Sequence, residues 1–132
     1  MSTHAVLTVF DEYTSEPLVH FYSHWDGYPS GFGKNLYNFL KDFTIVNGLS
    51  SDQNEKVANG MGCLAAQIIA HFKIEPGNFY ILYECENHDY EFNYELEFTD
   101  ELRIRVLNYN KTLFSGTIPE FGKYLKVPCT EE

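Results

Sequence analysis

The sequence predicts an α+β fold, with an antiparallel sheet of about five strands and two helices on one face, in the order β-β-α-α-β-β-β. Three observations carry this. Two alternating β-rich segments near the start, Ala5 to Phe10 and Leu18 to Trp25, flank the turn-rich Asp11 to Pro17. The apolar residues between Gly31 and Phe72 recur at helical spacing. The last third is an aromatic and acidic meander of period two.

Each element follows from its own pattern. The first two segments read as strands joined by a longer hairpin loop. Phe32, Leu36, Phe39, Leu40 and Phe43 then form one stripe, which predicts a first helix running to about Phe43. Asn47-Gly48 closes that region, and Asp52 with Glu55 three positions on has the form of a capping box opening a second helix. Met61, Leu64, Ala65, Ile68 and Phe72 are its buried stripe, and Pro76-Gly77 ends it.

Side-chain chemistry sets the register of the meander. A turn at His88-Asp89 pairs Phe79 with Phe98, Ile81 with Leu96, Tyr83 with Tyr94 and Cys85 with Phe92. A second turn at Thr99 to Glu101 opposes Phe98 to Leu102, Leu96 to Ile104 and Tyr94 to Val106 on the same face. On the other face it brings Glu97 to Arg103 and Glu95 to Arg105, making that face a solvated one with Glu91. Asn110-Lys111 marks a third turn, and Pro119 starts a terminal helix through Leu125.

At 132 residues, 44% of them apolar, the chain (1–132) is long enough for one domain with one core and too short for two. The 11 Phe and 10 Tyr exclude disorder and favour aromatic cross-strand pairs. No apolar run approaches the roughly 18 residues of a membrane span, and Met-Ser-Thr-His lacks the pattern of a secretory leader, so a cytoplasmic location without membrane partners is expected. Cys63, Cys85 and Cys129 are odd in number and form no CxxC, which points to a reducing compartment rather than to a disulfide framework or a zinc site. A formal charge of −10, from 19 acidic against 9 basic residues, repels phosphate backbones and makes nucleic acid an unsuitable partner.

The chemistry concentrates in two glycine segments. His24-Trp-Asp-Gly-Tyr-Pro-Ser-Gly-Phe-Gly-Lys34 sits at the strand-to-helix junction, where glycine permits close backbone approach and a helix start offers unpaired N–H groups. Two readings stand side by side: a cradle for a small anionic or nucleotide-like ligand, and a structural turn braced by Asp26. The segment is not a Walker loop, since Tyr28 and Asn35 occupy positions where that motif requires glycine and Ser or Thr. Gly60 and Gly62 weaken the second helix by about 1 kcal/mol each relative to alanine, which implies close packing or backbone opened toward a ligand, with Gln67 as a polar reader.

His20, His24 and Asp26 share a strand face, but His20 and His24 lie roughly 13 Å apart on a strand and do not share an ion. His71 suits a helix C-terminus, and Cys63 lacks the adjacent base of a nucleophile. No metal, cofactor or catalytic residue is read from the sequence. The ligand-binding candidates are His24, Asp26, Gly27, Tyr28, Ser30, Gly31, Gly33 and Lys34 of the first segment, with Gly60, Gly62 and Gln67 of the second, expected to converge on a cleft.

At Asp26-Gly-Tyr-Pro-Ser-Gly-Phe-Gly33, Gly60-Met-Gly-Cys-Leu-Ala-Ala-Gln67 and His71-Phe-Lys73, the chain resembles a family of short proteins from phages, giant viruses and some prokaryotes. Asn78 to Tyr80 and Tyr90 to Tyr94 extend the resemblance over most of the chain, while His88-Asp89 departs from the family's Cys-Gly pair. The resemblance implies a genomic setting and no activity. In a viral setting it implies sequestration of a host immune signalling nucleotide in the host cytoplasm. The expected function is therefore non-enzymatic binding of a nucleotide-like or phosphorylated ligand. An acidic module that inhibits a host enzyme through Glu91, Glu95 and Glu97 is the alternative, and a phosphohydrolase using Asp26, His24 and Lys34 is a weaker one. A homodimer or higher oligomer is expected from exposed sheet edges and from an outer-face patch of Tyr80, Leu82, Leu107 and Tyr109, joined by Trp25.

Overall fold

The computed structural model describes residues 3–46, 56–83 and 90–126. The Ala5–Phe10 run AVLTVF is apolar at almost every position, as suits a strand buried on both faces, and as β1 it lies inside the sheet. It pairs antiparallel with β2 (Pro17–Ser23), the expected hairpin, and parallel with β6 (Phe92–Phe98) in the register Ala5↔Phe92, Leu7↔Tyr94 and Val9↔Leu96. With β5 (Phe79–Leu82), β7 (Leu102–Asn108) and β8 (Lys111–Thr117), the sheet has six strands in the order β5-β2-β1-β6-β7-β8.

The fold is thus α+β, but the sheet is mixed rather than antiparallel. The β6–β7 hairpin has the expected register, with Phe98↔Leu102, Leu96↔Ile104, Tyr94↔Val106 and the Glu97↔Arg103 and Glu95↔Arg105 pairs opposite. Two independent patterns, apolar and charged, fix that register. The expected pairing of Phe79, Ile81 and Tyr83 with β6 does not form: Phe79 faces Ser23 and Ile81 faces Phe21, because β5 adds to the outer edge of β2. A four-residue apolar strand matches any apolar neighbour, and its own sequence does not choose between β2 and β6. The His88-Asp89 turn and Cys85 lie outside the described residues.

Among the described residues there are three α-helices, two between the strand groups and the terminal one that Pro119 signals. A π-helical turn at Pro29–Gly33 runs into α1 (Lys34–Leu40), which ends before the expected Phe43. Two three-residue strands, β3 (Thr44–Val46) and β4 (Val57–Asn59), form a separate parallel pair too short to leave a period-two signal. Helix α2 (Gly60–Phe72) begins directly after β4, while the expected start at Asp52 and Glu55, like Asn47-Gly48, lies outside the described residues. The terminal helix α3 (Ile118–Leu125) starts as its Pro119 signal predicts. Thr117 and Glu120 cap it reciprocally.

The core lies between sheet and helices. Leu7, Phe21, Tyr94 and Ile104 from the strands meet Leu36 and Leu40 of α1, Leu64 and Ile68 of α2 and Phe121 of α3. Helices α1 and α3 approach closely at Gly122, where an added Cβ would stand 2.5 Å from the Tyr37 ring. The outer face is solvated only on one side. Arg105 Nε bonds Glu95 Oε1 at 2.9 Å there, whereas Val6, Thr8 and Asn93 are buried and Tyr22 lies among His4, His24, Tyr80 and Tyr90. The expected outer patch is divided by this strand order: Tyr80 and Leu82 stand on the β5 edge, and Leu107 and Tyr109 lie beyond β2, β1 and β6.

Candidate functional site

Beyond Ser23 the chain leaves the sheet and folds over the end of β1. Gly27 N–H donates to Thr3 O at 2.7 Å, and a Cβ at Gly27 would collide with Ala5 and the His4 carbonyl carbon at 2.7 Å. Gly33 packs on the buried Tyr94 ring, whose hydroxyl donates to Gly27 O at 2.7 Å. A Cβ at Gly31 would fall 2.4 Å from Asp26 O. These glycines serve the approach of protein to protein. Asp26 itself is held at φ 51, the left-handed region that a residue with a Cβ seldom occupies and that recurs at functional loops.

Four of the loop's N–H groups are used within it. Gly31 N–H and Gly33 N–H donate to Tyr28 O at 2.9 and 3.4 Å, Phe32 N–H donates to Asp26 O at 2.7 Å, and Lys34 N–H donates to Gly31 O. An anion seated on these N–H groups would have to displace all of these bonds. These four N–H groups thus face the chain's own carbonyls.

The cleft lies beside this loop instead, with a volume of about 720 Å³. Its floor is apolar: Phe32, Phe39, Phe72 and Phe79 line it, with Phe72 stacked on Phe79 at 5.7 Å between centroids. Helical spacing puts Asn35 and Asn38 of α1 on the same wall as Phe32 and Phe39. His71, from the last turn of α2, stacks on Phe39 at 4.4 Å. Lys56 Nζ lies 5.2 Å from the Phe39 centroid and donates to Phe39 O at 3.2 Å. Asn78, which donates to Phe72 O at 2.7 Å, completes the far side.

Trp25 and Asp26 form the rim. The indole is 53% exposed, and the Asp26 carboxylate accepts from the Tyr28 hydroxyl at 3.2 Å. That hydrogen bond to a carboxylate raises the Tyr28 phenol above its ordinary pKa. Aromatic walls with a few amides and opposite charges can enclose a planar polar ring and read its edge.

Among the expected residues the structure brings Asp26 to the cleft and places Tyr28 behind it. His24 turns to the outer face, within reach of Tyr22 and His4. Ser30 and Lys34 are exposed and do not line the cleft. The second glycine segment lies at the opposite end of α2, whose 13 residues span roughly 20 Å. There Gly60 has φ +83 and a Cβ on it would meet the Glu12 carboxylate at 2.5 Å, while the Met61 N–H donates to that carboxylate at 3.3 Å. Gly62 faces open space, and Gln67 donates to Val57 O at 3.3 Å and accepts from the Cys63 thiol. Gly60, Gly62 and Gln67 do not line the cleft that Asp26 borders.

Asn35, Asn38, Lys56, His71 and Asn78 line the cleft without having been singled out from the sequence as ligand-binding candidates. The two asparagines were legible there, since they accompany Phe32 and Phe39 on the helical wheel. Lys56 and Asn78 come from segments joined to the cleft only by tertiary packing. Among the described residues no group of three or more His, Cys, Asp and Glu side chains is arranged around a metal ion. None of their helices is long and apolar enough to cross a membrane. No family model matches the chain, and no curated protein or solved structure matches it.

Proposed function

We propose that this protein binds a small, planar, nucleotide-like ligand in the cleft between the Trp25–Asp26 rim, α1 and the C-terminal end of α2, without catalysing a reaction on it. The observation that carries this reading is the cleft's composition. Phe32, Phe39 and Phe79, almost wholly buried, make an apolar floor with Phe72, the exposed Trp25 and His71 rings offer stacking surface, and Asn35, Asn38, Asn78, Lys56 and Asp26 supply donors and acceptors at the margin. Lys56 is a cation suited to a phosphate on the ligand, and the amides suit the edge of a base. A catalytic reading has less support, since His24 faces away from the cleft and Lys34 does not line it.

The acidic-module reading is also less favoured by the outer face, where Arg105 is paired with Glu95 and Arg103 stands opposite Glu97. Isothermal titration against nucleosides, nucleotides and cyclic dinucleotides tests the proposal. A member of that panel binds, and Trp25→Ala and Asn38→Ala weaken it by roughly tenfold each, about 1.4 kcal/mol, with the melting temperature little changed. If no compound of the panel binds, or if binding ignores both substitutions, the cleft is not the site.

A further inference from the structure

On the outer face, three donor atoms from two stretches of chain meet. Tyr22 Oη lies 2.8 Å from His4 Nδ1 and 3.0 Å from His24 Nδ1. The two imidazoles are stacked, with centroids 4.8 Å apart and planes inclined by 28°. His4 precedes β1, Tyr22 stands in β2 and His24 follows it, so the sheet's own pairing assembles the group. Val6↔Tyr22 is one of the β1–β2 pairs that hold it.

Proton counting makes this cluster unusual. The phenol has one hydrogen and two ring nitrogens in front of it, so only one nitrogen accepts from it. Without another occupant, one arrangement satisfies all three contacts: His4 carries its hydrogen on Nδ1, facing the His24 carbonyl at 3.1 Å, and His24 accepts from Tyr22. A cation removes that asymmetry, because it is attracted by all three lone pairs together. Ligand atoms bound at ~2.0–2.1 Å around one tetrahedral ion lie ~3.3 Å from one another, and closer at smaller angles, near the 2.8 and 3.0 Å that separate Tyr22 Oη from the two nitrogens. Two imidazoles on such an ion also bring their centroids roughly 5 Å apart.

We propose that His4 Nδ1, His24 Nδ1 and Tyr22 Oη form a site for a borderline divalent transition ion such as Zn²⁺, Cu²⁺ or Ni²⁺. Binding moves the His4 hydrogen from Nδ1 to Nε2, and the phenol loses its proton to solvent as the oxygen coordinates. Water or an outside ligand completes the coordination. The ring of Trp25 stands edge-on to His24 at 4.4 Å between centroids, so the ion would sit directly behind the rim of the cleft. The site stands on the three donor atoms and does not rest on the ligand proposed above.

Calorimetric titration of the whole protein with Zn²⁺, in buffers of different ionisation enthalpy, reads both affinity and proton release. One ion binds per chain with release of a proton, and His4→Ala and His24→Ala each weaken it by more than roughly 100-fold, beyond what loss of an outer-shell partner costs. Tyr22→Phe abolishes the proton release, and His20→Ala changes nothing. The spectrum of the Cu²⁺ form of the unsubstituted protein shows two coordinated nitrogens, a readout that needs no variant to fold. Absence of binding by the unsubstituted chain, binding retained in the double His4→Ala, His24→Ala variant, or a Cu²⁺ spectrum without nitrogen ligands would overturn the assignment.

Discussion

The hydroxyl of Tyr94, in the middle of β6, donates to the carbonyl of Gly27 at 2.7 Å, tying the loop that carries Trp25 and Asp26 to the core. Tyr94 is fully buried, and that burial pushes its phenol far above the ordinary tyrosine pKa. Tyr94→Phe leaves the Gly27 carbonyl without its donor and should cost about 1–3 kcal/mol. Chemical denaturation measures this. The same variant should loosen the rim and weaken any ligand held there, and unchanged stability would mean that water replaces the lost hydroxyl.

At the start of α2 a distant carboxylate does the work of a cap. The Asn59 side chain makes no capping bond, and Glu12 from the β1–β2 loop accepts from the Met61 N–H. Glu12→Ala should therefore destabilise the protein by about 1 kcal/mol, the usual cost of losing a cap. Gly60→Ala should cost more, because its positive φ is strained with a Cβ and that atom collides with Glu12. Thermal unfolding of the two variants should rank them in that order.

The capping box of α3 makes stability depend on pH. Bonds from the Thr117 backbone and hydroxyl hold the Glu120 carboxyl below its ordinary pKa, with Arg103 and Lys123 adding to this. A carboxyl whose folded pKa is depressed stabilises fully above its unfolded value and loses that contribution as the pH falls through the folded one. Glu120→Ala should thus lower the melting temperature at neutral pH, and the gap to the unsubstituted protein should narrow below the ordinary glutamate range. Thr117→Ala, which removes the partner, should cost about 1 kcal/mol at neutral pH.

Strand β5 is a sheet edge with exposed apolar groups: Tyr80 is 47% and Ile81 62% exposed, and Tyr83, just past the strand, is 98% exposed. Such an edge favours pairing with another strand. Light scattering should report self-association, and Ile81→Lys should abolish it. Because each chain carries a formal charge of −10, added salt should strengthen this association rather than weaken it. A monomer at every salt concentration would rule the β5 interface out.

Much of the local structure was legible in the sequence because it is encoded by neighbours. The β6–β7 register is written twice, in apolar residues and in Glu–Arg pairs, and the start of α3 is written in Thr117, Pro119 and Glu120. The parallel partner of β1 and the placement of β5 are not encoded that way, since an apolar strand such as FYIL does not specify its neighbour. The first glycine segment does mark the loop at the cleft, and its glycines allow close approach to Ala5, Tyr94 and Asp26. Glu12 explains Gly60 only once the hairpin loop lies over α2.

The Ala5↔Phe92 pairing has a consequence for how the chain acquires its shape. The β1–β2 hairpin is local and can form early, but the second neighbour of β1 arrives more than eighty positions later, so one flank of an apolar strand stays bare while most of the polypeptide emerges from the ribosome. Contacts of such long sequence separation slow folding and prolong exposure of sticky intermediates. Completion of the sheet is thus tied to the arrival of β6, and truncation before Phe92 leaves β1, one of the two central strands, with an open side.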